Sequence, residues 1–148
     1  MIPITVDHLR VYLHLLGATV WVGGQIALAG VVPVLRRHAD PTVVRAVARR
    51  FQMLAWPAFA LLLATGVWNL VAINVADQAG AYLATLMVKL VLVALSGLGA
   101  AAHAFFTGPA VSAAATEADQ RRRRALSGAT AGLGLLFAVA AALFGVQL

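Results

Sequence analysis

VYLHLLGATVWVGGQIALAGVVPVL, residues 11–35, is a stretch in which only Tyr12 and His14 can ionise. At about 1.5 Å per residue, a helix of that length reaches across the ~30 Å hydrocarbon core of a bilayer. The same test is met three more times. No side chain can ionise between Phe51 and Ala76, or between Ala125 and Leu148. Between Gln78 and Thr116 only Tyr82, Lys89 and His103 can. The pattern predicts membrane-spanning helices over roughly 10–35, 51–73, 82–106 and 125–147. The chain of 148 residues is 62% hydrophobic with a mean hydropathy of +0.91, too apolar for an ordinary soluble domain.

The first apolar run is too long for a secretory leader. It follows Asp7 and a single Arg10, and it stops at Arg36-Arg37. There is no cysteine, so thiolate metal sites and disulfides are excluded. The net charge of +6 does not point to nucleic acid, because of where it sits. Arg36, Arg37, Arg45, Arg49 and Arg50 fall in one connection and Arg121–Arg124 in another; only Arg10 and Lys89 lie elsewhere. Both connections are expected on the cytoplasmic side, with both termini outside. A basic run of this kind also suits anionic lipid head groups.

Asp40-Pro41 is a helix start that leads through VVRAVARRF into the second span. Gly108-Pro109 is expected to stop the third helix. Short connections make neighbouring helices antiparallel. The expected fold is all-α: an integral membrane, up-down four-helix bundle forming a single domain over 1–148, with no clear internal repeat. The Gly/Ala-rich fourth helix contains Gly128-Ala-Thr-Ala-Gly132, a small-xxx-small pattern. It reads as packing, within the bundle or against a membrane partner or second copy.

Polar residues inside these spans are patterned. His14, Trp21 and Gln25 fall on one narrow helical stripe, flanked by Gly17, Ala18 and Ala29 with Gly24 at its edge. Tyr82, Lys89, Ser96 and His103 recur at sevens, with Thr85 one turn from Tyr82 and Lys89. Both stripes are expected to face the protein interior. Lys89 is the only lysine, and an ionisable group inside a membrane marks a functional site by default. In this topology His14 lies roughly 6 Å and Lys89 roughly 10 Å below the outer edge, and His103 roughly 30 Å down, near the inner surface. An outer zone then holds His14, Lys89, Thr85, Tyr82, Met87 and His8. An inner zone holds His103, Arg50, Trp56 and His38. His14 and His103 are not expected to share one metal ion or one haem. Simpler readings stand beside these. His14 can bond a neighbouring helix, Lys89 can snorkel to head groups, His103 can be structural, and Trp21 can fill space.

The stretch HLLGATVWVGG at 14–24 resembles the first-helix motif of the CopD copper-resistance membrane domain. The resemblance continues at Arg49-Arg50-Phe51 and Thr65-Gly66. It is clearest at YLATLMVKLVLV, residues 82–93. It implies an inner-membrane protein of bacteria that handles copper ions, by binding or by transfer across the membrane. HemJ-like proteins share the His-x6-Trp element and the third-helix lysine. That second resemblance implies haem b and oxidation of a porphyrin, or electron transfer. It is the poorer fit: no Trp-Leu-His precedes Lys89, and Ala100 stands where a histidine is expected.

Three functions follow. In copper handling, His14, Met87 and His8 supply ligands near the outer face, since imidazole and thioether suit copper. In the haem reading, His14 is an axial ligand and Lys89 pairs with a propionate; His14, Lys89, Trp21, Gln25, Tyr82 and Thr85 line the cofactor site. In the third, the chain is a non-catalytic membrane subunit. Copper handling is placed first.

Overall fold

The computed structural model describes residues 4–107 and 116–147. Every regular element among them is helical, and four helices are long and apolar enough to cross a membrane: Val6–His38, Pro41–Ala72, Gly80–Phe105 and Glu117–Gly145. The all-α expectation holds. The chain divides into two compact units, Met1–Gln78 and Ala79–Leu148, each holding two of these helices.

In the first unit, helix one begins with Thr5 as its cap. The Thr5 hydroxyl accepts the His8 N–H at 3.3 Å, and His8 Nδ1 accepts the Thr5 N–H at 3.2 Å. His8 thus takes the place that Glu usually holds in such a reciprocal cap. Mid-way, Thr19–Gly23 widens into a π-helical turn. The Gln25 amide donates back to the Trp21 carbonyl across 3.0 Å, supplying a donor where the regular ladder is interrupted. Helix one ends at His38, and only Ala39 and Asp40 separate it from helix two. The Asp40 carboxylate accepts the Thr42 N–H at 2.7 Å and the Thr42 hydroxyl at 2.6 Å, with Pro41 as the first helical residue. So short a link makes the two helices an antiparallel hairpin.

Small residues set how closely they pack. A side chain at Gly17 would meet the Ala58 carbonyl at 3.0 Å and the Leu62 N–H nitrogen at 3.1 Å. Trp21 is 3% exposed and rests against Phe59 and Trp56, ring centres 4.3 and 5.8 Å away. Trp56 meets Phe59 edge-on. Arg10, Gly17 and Trp21 face Ala55, Ala58, Leu62 and Thr65 as the buried seam. Val71, Leu54 and Val67 stay exposed, as a lipid-facing surface requires.

In the second unit, helix three turns into a π-helical segment over Ala102–Thr107. Helix four starts from Thr116, whose hydroxyl accepts the Asp119 N–H at 3.2 Å. The seam joins Leu86, Ser96 and Gly97 to Ser127, Gly134, Ala138 and Ala141. Its closest point is Gly99 on Gly134, where an added Cβ would lie 3.0 Å from the opposing Cα. Near the end of the first unit, Asn74 takes a left-handed conformation (φ 48°) before the short 3-10 turn Val75–Asp77.

Two expectations need correction. Arg121–Arg124 are helical rather than part of a loop: they lie in helix four, all four exposed, whereas Arg45, Arg49 and Arg50 lie in helix two as the Asp40-Pro41 start predicts. Arginine is a good helix former, and the caps at Asp40 and Thr116 start each helix well before its apolar part. Among the described residues nothing lies within 4 Å of a side chain built at Gly128 or Gly132, so the packing expected of them inside the bundle is not made there. Gly99 and Gly134 make the close approach instead. Gly108-Pro109 falls outside the described residues.

Candidate functional site

Helix one brings two polar side chains, one turn apart, onto helix two. Arg10 is only 9% exposed. Its guanidinium pairs with Asp7 at 3.2 Å and donates to the Asn69 carbonyl at 3.5 Å. Asn69 belongs to the last turn of helix two, where unpaired carbonyls and the helix dipole favour a cation. One turn further in, His14 Nδ1 lies 3.0 Å from the Thr65 hydroxyl. The ring also covers Gly66, where an added Cβ would sit 3.5 Å from Cε1.

One arrangement of the protons in this pair also serves the helix carbonyls. The Thr65 hydroxyl has one, and its oxygen lies 2.7 Å from the Leu61 carbonyl, which can only accept. Leu62 offers a second carbonyl at 3.2 Å. With the hydroxyl proton turned into its own helix, the oxygen accepts from His14 Nδ1–H. The lone pair of the neutral ring is then on Nε2. A metal-binding histidine commonly has one nitrogen donating to a fixed acceptor and the other carrying the lone pair.

The remaining candidates separate. Trp21 and Gln25 lie on the His14 stripe as expected, but the Gln25 amide is engaged by the Trp21 carbonyl. His8 is exposed and serves the cap. Thr85 bonds its own helix at the Ala81 carbonyl, 3.1 Å away. Tyr82 is half-buried, whereas Met87 is 53% exposed, off the polar stripe. Lys89 reaches the far end of helix four: a Cβ at Gly145 would lie 3.2 Å from its Nζ. Gly145 closes that helix, so the ammonium stands against a C-terminal turn, as Arg10 does in the first unit. His103 Nδ1 lies 2.9 Å from the Ser127 carbonyl and 3.2 Å from the Ser127 hydroxyl. Arg50 is exposed. Among the described residues no three His, Cys, Asp or Glu side chains gather as a metal cluster.

Sequence comparison adds one finding. The family description Copper resistance protein D matches residues 45–144, well over half of the chain. The chain belongs to the CopD family. It is therefore a copper-resistance-type integral membrane protein, and the resemblance read from residues 82–93 is upheld. No curated protein and no solved structure matches it. The CopD match takes in Thr65, Asn69, Lys89, His103 and Ser127 but not Arg10, His14 or Trp21. The sequence reading missed Arg10 and Asn69. Arg10 reads as a flanking charge, and its signal was the i, i+4 step to His14, matched by the step from Thr65 to Asn69 on the antiparallel neighbour.

Proposed function

We propose that this CopD-family chain hands copper ions on at, or across, a bacterial cytoplasmic membrane, with both termini outside. His14 is the metal-binding residue and Lys89 the second functional residue. The observation that carries the reading is the His14–Thr65 contact, which fixes a half-buried imidazole by its Nδ1 edge within a membrane-spanning helix. Imidazole suits copper in either oxidation state. Copper is the cargo here. One imidazole beside one hydroxyl makes a weak site, which suits an ion that is passed on rather than stored. Lys89 draws its support from family membership and from its intramembrane position.

The test is copper uptake into vesicles holding the purified protein. His14→Asn keeps an N–H donor for Thr65 and removes Nε2. Uptake should fall to the level of empty vesicles, and undiminished uptake would sink the role of His14. Lys89→Met, if folded and fully active, removes Lys89 from the reading. An absorption spectrum guards against the other cofactor. A Soret band in the purified protein that disappears in His14→Asn would replace copper by haem b.

A further inference from the structure

The first hairpin carries positive charge at two levels, one hydrocarbon thickness apart. Arg10 pairs with Asp7 and meets the Asn69 carbonyl near the end of helix two. Arg49 precedes Asn69 by twenty residues, about 30 Å along the helix. No side chain between Phe51 and Ala72 can ionise, and a helix of that length just fills the ~30 Å hydrocarbon core. Arg49 and Arg50 therefore stand where hydrocarbon gives way to head groups. Helix two extends eight residues further, to Pro41, with Arg45 on the Arg49 face and about 6 Å beyond it. Arg36 and Arg37 lie in the last turn of helix one, across the two-residue link. Arg36 is 26 residues from Arg10, about 39 Å, which sets it roughly 9 Å outside the core. The five guanidiniums thus span the head-group layer, which is roughly 5–7 Å deep on each side of a bilayer.

All five are exposed, and among the described residues none of them pairs with a carboxylate. Asp40 is the one acidic residue between Arg36 and Arg50, and its carboxylate accepts the Thr42 N–H and hydroxyl. Arg45 and Arg49 are like charges one turn apart and repel each other. The second hairpin is built to the same measure. Lys89 reaches Gly145, and Arg124 precedes Gly145 by 21 residues, about 32 Å. Arg121–Arg124 are exposed, and at about 100° per residue they leave helix four on nearly every side.

We propose that these exposed arginines bind the phosphates of anionic phospholipids, so that each hairpin gathers such lipids around its basic end. Retention on one side of a membrane calls for Lys or Arg without distinction. All nine basic residues at these two ends are Arg. A guanidinium takes a phosphate through two parallel N–H bonds, whereas an ammonium acts as a point charge. A phospholipid also presents its phosphate at the depth where these groups stand. Its negative head group relieves the repulsion among neighbouring arginines. The proposal is independent of the copper reading and of which side of the membrane the basic ends face.

The experiment reconstitutes the full-length protein into phosphatidylcholine vesicles with a trace of spin-labelled lipid in both leaflets. EPR reads the fraction of label immobilised at the protein. Spin-labelled phosphatidylglycerol should associate about fivefold more strongly than spin-labelled phosphatidylcholine, the factor that one basic residue supplies near a charged lipid surface. High salt should shrink that preference in the unaltered protein, a reading that needs no variant. Glutamine at Arg36, Arg37, Arg45, Arg49 and Arg50 should lower it, as should glutamine at Arg121–Arg124, with circular dichroism confirming that each variant folds. Lysine at the same positions should restore only part of it. Equal association of the two lipids with the unaltered protein overturns the proposal, and so does an unchanged preference in both glutamine variants. Loss of the preference on adding glycerol 3-phosphate at constant ionic strength also overturns it, because the ligand is then a soluble phosphate.

Discussion

In the proposed copper role of His14, the Thr65 hydroxyl is the group that orients the ring, so Thr65 is the residue to alter. Thr65→Val keeps the shape and removes the acceptor. It should weaken copper binding by about tenfold, the usual scale for losing the partner of a metal-binding histidine, and Thr65→Ser should restore it. Titration of the purified variants checks this; equal affinities would show that the tautomer needs no help. At the other end of the hairpin, Asp40 carries a pH-dependent contact. Hydrogen bonds from the Thr42 hydroxyl and then the Thr42 N–H hold its carboxyl below the ordinary carboxylate value. A lowered value means that the stabilisation is complete above the ordinary carboxylate pKa and disappears as pH falls through the lowered one. Asp40→Asn should therefore melt below the parent at neutral pH. The gap should close toward about pH 3, below the ordinary Asp value. A gap of constant size between the two conditions would rule out the carboxylate as its source.

At the level of helices, the glycines separate into two classes that look alike in sequence. Gly17 and Gly99 face opposing backbone, which cannot yield as a side-chain tip can. Gly17→Val or Gly99→Val should cost about 1–3 kcal/mol through overpacking. Gly128→Ala and Gly132→Ala meet open space and should be neutral or gain up to about 1 kcal/mol of helix propensity. Melting in one detergent measures all four. Equal losses at Gly128 and Gly17 would mean that the fourth helix packs through the wrong face here. The contrast shows what the sequence could convey. Helix number, the cap at Asp40-Pro41 and the inward stripe of His14 and Trp21 were legible, because each rests on local spacing. The choice between Gly128-Gly132 and Gly134 was not, because it depends on which face the neighbouring helix takes. Arg10 escaped for a related reason. A cation near a helix start reads as a flank until Asn69 is brought opposite it.

At the scale of the whole chain, the open question is which side of the membrane each hairpin end occupies, and charge supplies the expectation. Nine of the eleven basic residues belong to the segments around the two crossings that join helix one to two and three to four. That these residues are helical and exposed changes their secondary structure but not their side. Basic segments tend to be retained in the cytoplasm, so Ala39 is expected inside and both termini outside. The absence of cysteine makes this directly measurable, since any introduced thiol is the only one in the chain. In intact cells a membrane-impermeant maleimide should label Gln147→Cys and leave Ala39→Cys unlabelled until the membrane is opened. The reverse pattern would invert the chain and move His14 to the cytoplasmic side. It would leave the His14–Thr65 contact untouched, because that contact is internal to one hairpin. The labelling therefore fixes the side on which His14 stands, independently of any test of His14 itself.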